Sequence, residues 1–251
     1  MRHVFWFSAG AASAVAVKIG LAMLPPSANV VIARIVIPDE HEDSDRFTAD
    51  CAFWWGRAIT NLQSADYRDV SDVIERTRYI AGPYGARCTT ELKKRVRESF
   101  QQAGDVQHFG FTADERGRAA RFAEHNMEVN AVYPLIGANL TKADCFALVA
   151  KAGIELPAMY RLGFKNNNCI GCVKANSVAY WRRIAEHFPD VYQRRAEQER
   201  MIGATINRNR DGSRLYLDEL RERLATIPLT AEMPNLSCGI LCELASMDME
   251  P

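Results

Sequence analysis

Over the first 150 or so positions of this 251-residue chain, short apolar runs alternate with amphipathic stretches and turn residues. Residues 3–7 form an apolar run of strand length, broken by Ser8-Ala9-Gly10. Residues 11–24 then read as a helix that Pro25-Pro26 stop. Residues 30–37 are β-branched and almost wholly apolar, the pattern of a strand covered on both faces. Residues 47–62 predict a helix with Phe53, Trp54 and Ile59 turned inward. Weaker strand patterns occupy 67–70 and 78–80, and a strongly charged helix is expected over 90–102. A strand at 106–111, a helix at 114–126 capped by Asp114, and a strand at 129–135 come next. Thr141-Lys142-Ala143-Asp144 opens another helix, and further helices are expected at 177–187, 191–206 and 215–225.

Strand–helix alternation of this kind predicts an α/β fold, a doubly wound and mostly parallel sheet. The expected organisation is a nucleotide-binding α/β domain over 1–150. A helical C-terminal region over 151–251, packed on the first, carries four of the seven cysteines. In such sheets ligands bind beyond the carboxyl ends of the strands, so the turns after the strands are the places to search.

Composition narrows the classes. Thirty-one basic residues balance 31 acidic ones, which argues against a nucleic-acid coat or a polybasic membrane binder. An odd, unevenly spaced set of cysteines is not a secreted disulfide framework, and a reducing cytoplasm fits it better. The apolar run 4–24 imitates an export signal. Lys18 interrupts it, however, and Ser8, Gly10 and Ser13 lie inside it. A buried strand and helix in a soluble chain is the expectation, with no membrane partner.

Candidate chemistry concentrates in two places. Cys169-Ile170-Gly171-Cys172 sets two thiols on a glycine turn, and Cys238 and Cys242 form a second close pair. A tetrahedral zinc or a 4Fe–4S cluster wants four thiolates. Cys169, Cys172, Cys238 and Cys242 would supply them, or Cys88 could replace one of the tail pair. Cys51 and Cys145 sit in helical patterns and read as plain buried thiols. The turn holding Ser8, Gly10 and Ser13 joins a strand to a helix N-terminus, where backbone N–H groups attract anions. Small residues there also serve close strand–helix packing. Asp39 and Glu40, after the second strand, suit Mg²⁺ or sugar hydroxyls, or a solvated acidic loop. Arg116 and Arg118 are candidates for a phosphate, and Lys93 lies on a basic helix face. The Arg-rich segment 194–210 interleaves Glu197 and Glu199 and reads as helix surface, so nucleic acid is not indicated.

Ser8-Ala9-Gly10-Ala11-Ala12-Ser13 resembles the PP-loop of the adenine-nucleotide α-hydrolase superfamily, with Ala9 and Ala12 where a Gly and an Asp are usual. The segments that follow in order resemble its phosphoadenosine phosphosulfate (PAPS) and adenosine phosphosulfate (APS) reductase branch. These are Gly85 to Lys93 around Cys88, Gly110 to Arg118, Met159 to Phe164 with Cys169 and Cys172, and Ser237-Cys238-Gly239-Ile240-Leu241. The resemblance implies a PP-loop fold that binds ATP or an adenylyl sulfate and handles sulfur. It implies Cys238 as the thiol that attacks sulfur, Lys93 on a sulfate or phosphate, a cysteine-held cluster, and a reductant protein such as thioredoxin. Ser237 and Leu241 depart from the Glu and His of that tail, and no basic residue flanks Cys238, which leaves the ligand reading of the tail open. Two alternatives stand beside it: an ATP-dependent sulfurtransferase or nucleic-acid-modifying enzyme, and a non-catalytic nucleotide-binding module with structural zinc.

Overall fold

Apolar and β-branched residues near the N-terminus build the middle of a sheet, and the rest of the α/β unit is laid around them. The computed structural model describes residues 1–82, 85–209 and 211–224, so Cys238 and Cys242 lie outside the described residues.

In chain order, β1 (Arg2–Trp6) leads to α1 (Ala11–Ala22), β2 (Asn29–Ile35), α2 (Asp43–Trp55) and β3 (Ile59–Leu62). Then come α3 (Val70–Thr77), β4 (Ala81–Gly82) and β5 (Gly85–Ala86). A helical stretch follows, made of α4 (Arg87–Thr89), a π-helical turn (Thr90–Lys94) and α5 (Arg95–Phe100). Next are β6 (Val106–His108), a 3-10 turn (Ala113–Glu115), α6 (Arg116–His125), β7 (Asn130–Val132), α7 (Pro134–Gly137), α8 (Lys142–Lys151) and α9 (Ala158–Arg161). The described chain ends with α10 (Val178–His187), α11 (Pro189–Ile202), β8 (Asn207–Arg208), β9 (Arg214–Leu215) and α12 (Leu217–Leu224).

Two compact units result. One joins Met1–Gln63 with Val96–Asn167; the other joins Ser64–Arg95 with the described residues from Asn168 onward.

The first unit holds a five-stranded sheet in the order β3–β2–β1–β6–β7, and every pairing is parallel. β1 is central: Val4 pairs with Val31 on one side and with Gln107 on the other. The chain winds outward from β1 in one direction through β2 and β3, then returns to start the other direction at β6. The order therefore reverses between β1 and β6, the switch point at whose strand carboxyl ends ligands bind in sheets of this kind. Phe5, Phe7, Ile32, Phe47 and Leu135 fill the core with the alanines of α1. Each large side chain so buried stabilises the unit by about 1.5–3 kcal/mol. Helix α1 lies close to the sheet because Gly20 has no side chain; a Cβ there would come within 2.3 Å of Phe5 Cε1.

The parallel α/β sheet agrees with the sequence reading, while several elements differ. The single helix expected over 47–62 is helix α2 followed by strand β3. Gly56 adopts φ 63°, ending α2 in the left-handed conformation that glycine accepts cheaply, and the chain re-forms as a strand at Ile59. Phe47, Cys51 and Trp55, four apart, are the apolar residues that α2 buries, together with Ser44, whereas Phe53 is 91% exposed. Residues 67–70 are not a strand: Asp69 caps α3, its carboxylate accepting the Asp72 N–H at 2.8 Å. Nor are 78–80, where Arg78 at φ 53° ends α3. Thr112, not Asp114, heads the helical segment after β6, in a capping box with Glu115. The strand read at 129–135 is shorter, because Pro134 opens α7.

In the second unit Ser177 caps α10 by accepting the Tyr180 N–H at 3.1 Å. Glu199 of α11, fully buried, accepts the N–H groups of Ile206 and Leu217 at 2.6 Å each. It thereby ties the β8–β9 region and the start of α12 to α11. No helix among the described residues is long and apolar enough to cross a membrane.

Candidate functional site

The turn after β1 lies at the switch point of the first unit. Phe7 continues the ladder by donating to Ala33 O at 2.9 Å, after which the backbone leaves the sheet. Ala9 takes φ 52° and is fully buried, and extended Gly10 stands at the N-cap of α1. Ser13, also buried, staples the turn. Its Oγ accepts the Ser8 N–H at 3.1 Å, donates to Gly10 O at 2.8 Å and lies 3.1 Å from Ser8 Oγ. Ser8 is exposed. The structure thus brings Ser8, Gly10 and Ser13 together, Ser13 holding the loop's shape.

Tyr160 and Asn167 complete the turn, and neither was singled out from the sequence. The Tyr160 hydroxyl accepts the N–H groups of Ala11 and Asn167, and burial pushes its pKa up to about 12. Its oxygen would stand 3.3 Å from a Cβ at position 10. Asn167 donates from Nδ2 to Ala9 O at 2.8 Å and to Ser44 Oγ at 3.0 Å. One N–H of the α1 terminus is therefore already taken by a neutral hydroxyl. The signals available were Tyr160 within the Met159–Phe164 segment and the run Asn166-Asn167-Asn168 just after it. Gly110, after β6, presses on Ser13: a Cβ there would meet Ser13 Cα at 2.8 Å.

The charged candidates of this unit have protein partners. Glu40 accepts from Arg34 at 3.1 Å, and that buried guanidinium also binds Asp45 at 2.7 Å and Thr48 Oγ1 at 2.8 Å. Asp39 is half-buried. Arg116 reaches Asn139 Oδ1 at 2.8 Å. Arg118 pairs with Glu115 at 2.6 Å, its guanidinium 4.8 Å from the Phe111 ring centre.

The second unit carries the thiols. Gly171, at φ 66°, forms the turn between Cys169 and Cys172, and a Cβ there would strike Val191 Cγ1 at 2.6 Å. Two side chains hold the turn from behind. The Tyr180 hydroxyl accepts the Cys172 N–H at 2.7 Å and donates to Cys169 O at 3.4 Å. Buried Arg195 donates to Gly171 O at 3.2 Å, to Ser71 Oγ at 3.0 Å and to Gln198 Oε1 at 2.7 Å. Cys88 is brought into the field of the same turn. Burial first, and then Cys172, pushes its thiol up to about 11, against the pull of Lys93, Lys174 and Arg195. Lys93 is thus close enough to act on Cys88 from the π-helical turn. In that turn Glu91, its side chain fully buried, pairs with Arg87 at 2.8 Å and Arg95 at 2.7 Å. Cys51 and Cys145 lie in the first unit's core, both raised by burial, Cys145 to about 12, as expected of inert thiols.

Cys88, Cys169 and Cys172 are all free thiols. Among the described residues no three His, Cys, Asp or Glu side chains converge as a metal-binding group. The donor chemistry suits zinc or an iron–sulfur cluster: thiols of one unit, two of them on a preformed turn with its backbone already hydrogen-bonded. The described residues do not close such a ligand set by themselves.

No protein-family model matches this chain, and no curated protein matches it.

Proposed function

We propose that this protein is an adenine-nucleotide-dependent, sulfur-handling enzyme of the PAPS/APS-reductase type. The observation that carries the reading is the preformed Cys169–Cys172 turn at Gly171, in the compact unit to which Cys88 and Lys93, from a segment far away in sequence, also belong. The parallel sheet, with a small-residue strand-to-helix turn at its switch point, supports a nucleotide on the first unit. There the phosphates of ATP or an adenylyl sulfate would meet Ser8 and the turn through Gly10. Asp39 and Glu40 follow β2, where Mg²⁺ or the sugar would be met, and Arg116 and Arg118, in the first turn of α6, would meet a phosphate.

In the second unit a zinc ion or a 4Fe–4S cluster held by Cys169 and Cys172, with Cys88 or the tail thiols Cys238 and Cys242, would add charge and rigidity. In the reaction a thiolate attacks the sulfur of the adenylyl sulfate. An S–S bond forms as the phosphate–sulfate S–O bond breaks, and the nucleotide leaves with the electron pair. Cys238 is the thiol that the resemblance assigns to this step, and Lys93 would neutralise the sulfate. A dithiol reductant such as a thioredoxin-like protein then releases sulfite and is oxidised to its disulfide.

The test is to incubate the full chain with APS or PAPS and follow the protein mass. An adduct of one –SO₃ group, lost on adding dithiol and absent in Cys238→Ser, is expected. Pyrophosphate release from ATP with no adduct would replace this reading by the sulfurtransferase one.

A further inference from the structure

A cavity of about 230 Å³ opens in the second unit, beside the thiol turn and apart from any residue used above for the nucleotide. One wall is the β4–β5 ribbon, Ala81–Gly82 paired with Gly85–Ala86. Its side chains are a methyl group or nothing, so the backbone itself faces the space. The other walls carry Lys174, Asn176, Thr205 and Arg208, with Val173 and Ile206 as apolar floor. Among the described lining residues two are cationic, two are neutral hydrogen-bonding groups and none is a carboxylate.

Those groups select for one kind of ligand. A site with two cations and no acid favours an anion, and an ammonium beside a guanidinium fork matches a phosphate- or sulfate-type oxyanion. Arg208 is steadied for this by donating from Nη1 to Gly212 O at 2.9 Å. The volume lies below the roughly 300–1,000 Å³ of drug-sized ligand sites, which indicates a small molecule. The cavity also adjoins the thiols along the chain: Ala86 is two residues before Cys88, and Val173 directly follows Cys172.

We infer that this cavity is an oxyanion-binding site for a small phosphate- or sulfate-bearing molecule, held by Lys174 and Arg208 and oriented by Asn176 and Thr205. That its occupant is a substrate of the neighbouring thiols rests on the sulfur-handling reading; that it binds an oxyanion does not.

The test titrates the full chain with inorganic phosphate and with sulfate by calorimetry, each variant being checked for folding by circular dichroism. Saturable binding is expected, and Lys174→Gln and Arg208→Gln should each weaken it by about tenfold or more, the loss of one charge-assisted contact. Neither residue is fully buried, so both variants should fold. Thr205→Phe keeps both charges but fills the space, and should abolish binding. Lys151→Gln, which removes an exposed cation from the end of α8 in the first unit, should leave it unchanged. Absence of binding to the wild type would overturn the inference. So would an equal loss on Lys151→Gln, indifference to both charge variants, or full binding by Thr205→Phe. A positive result with no sulfur transfer from any adenylyl sulfate would retain the oxyanion site and discard the enzyme reading.

Discussion

Gly110 and Ser13 meet backbone to backbone: a Cβ on residue 110 would come within 2.8 Å of Ser13 Cα and 3.0 Å of Ser13 N. The loop after β6 thus rests on the first turn of α1, and the two segments at the switch point fix each other.

Gly110→Ala should therefore destabilise the first unit by about 1–3 kcal/mol, the usual cost of forcing atoms into a packed site. A thermal melt would register this as a drop of several degrees. ATP or APS affinity should fall with it, because the turn at Gly10 is displaced. An unchanged melt would mean that the loop yields freely and that the contact fixes nothing.

Tyr160→Phe tests the acceptor side of the same turn. The phenyl ring fits, but the N–H groups of Ala11 and Asn167 lose the oxygen that they share. A loss of about 1–3 kcal/mol is expected, since buried donors without a partner carry their full desolvation cost. A urea unfolding midpoint equal to wild type would show that water takes the hydroxyl's place.

The main features of the sheet could be read from the chain because they rest on local pattern. A β-branched apolar run reads as a strand of a covered sheet, and a small-residue stretch between strand and helix reads as a tight turn. The end of α2 was legible in principle. Gly56-Arg57 breaks the helix and Ile59-Thr60 is β-branched, but aromatic Phe53, expected inward, is exposed, while Trp54 and Ile59 do pack against the core. The course of residues 64–95 was not legible. Nothing in their composition separates them from neighbours that fold with the other unit, and the field that Cys172 exerts on Cys88 exists only once the chain has folded. Arg34 shows the same limit from the other side. Its pairing with Glu40 and Asp45 was not legible, because an acid beside a buried arginine looks, in sequence, like any other acid of a polar loop.

Gly171→Ala addresses the thiol turn. At φ 66° an alanine pays about 1–2 kcal/mol for the left-handed conformation, and its Cβ would strike Val191 as well. The variant should melt several degrees lower and bind less zinc or iron per chain. Equal metal content in the two proteins would detach the Cys169–Cys172 turn from any metal site.

The two units should respond to pH in opposite directions. In the first, His108 is buried, stacked on Phe5 at 4.0 Å between ring centres, with its Nε2 3.0 Å from His3 Nδ1. Burial first, then His3, lowers its pKa from 6.5 to about 4. Between those values the unfolded chain binds the proton that the folded ring refuses, so the first unit loses stability as pH falls, on the order of 2–3 kcal/mol in all. In the second, burial raises Glu199 from 4.5 to about 7, although two backbone N–H groups pull the other way. There the folded state holds the extra proton, so stability is greatest below about pH 4.5 and declines toward pH 7. Hydrogen exchange, corrected for intrinsic rates, should show β1 and β6 losing protection as the pH is lowered from 6.5 to 4 while α11 and α12 gain it. His108→Gln should flatten the first trend and leave the second. Parallel changes in both units would mean that neither buried group governs the local stability assigned to it.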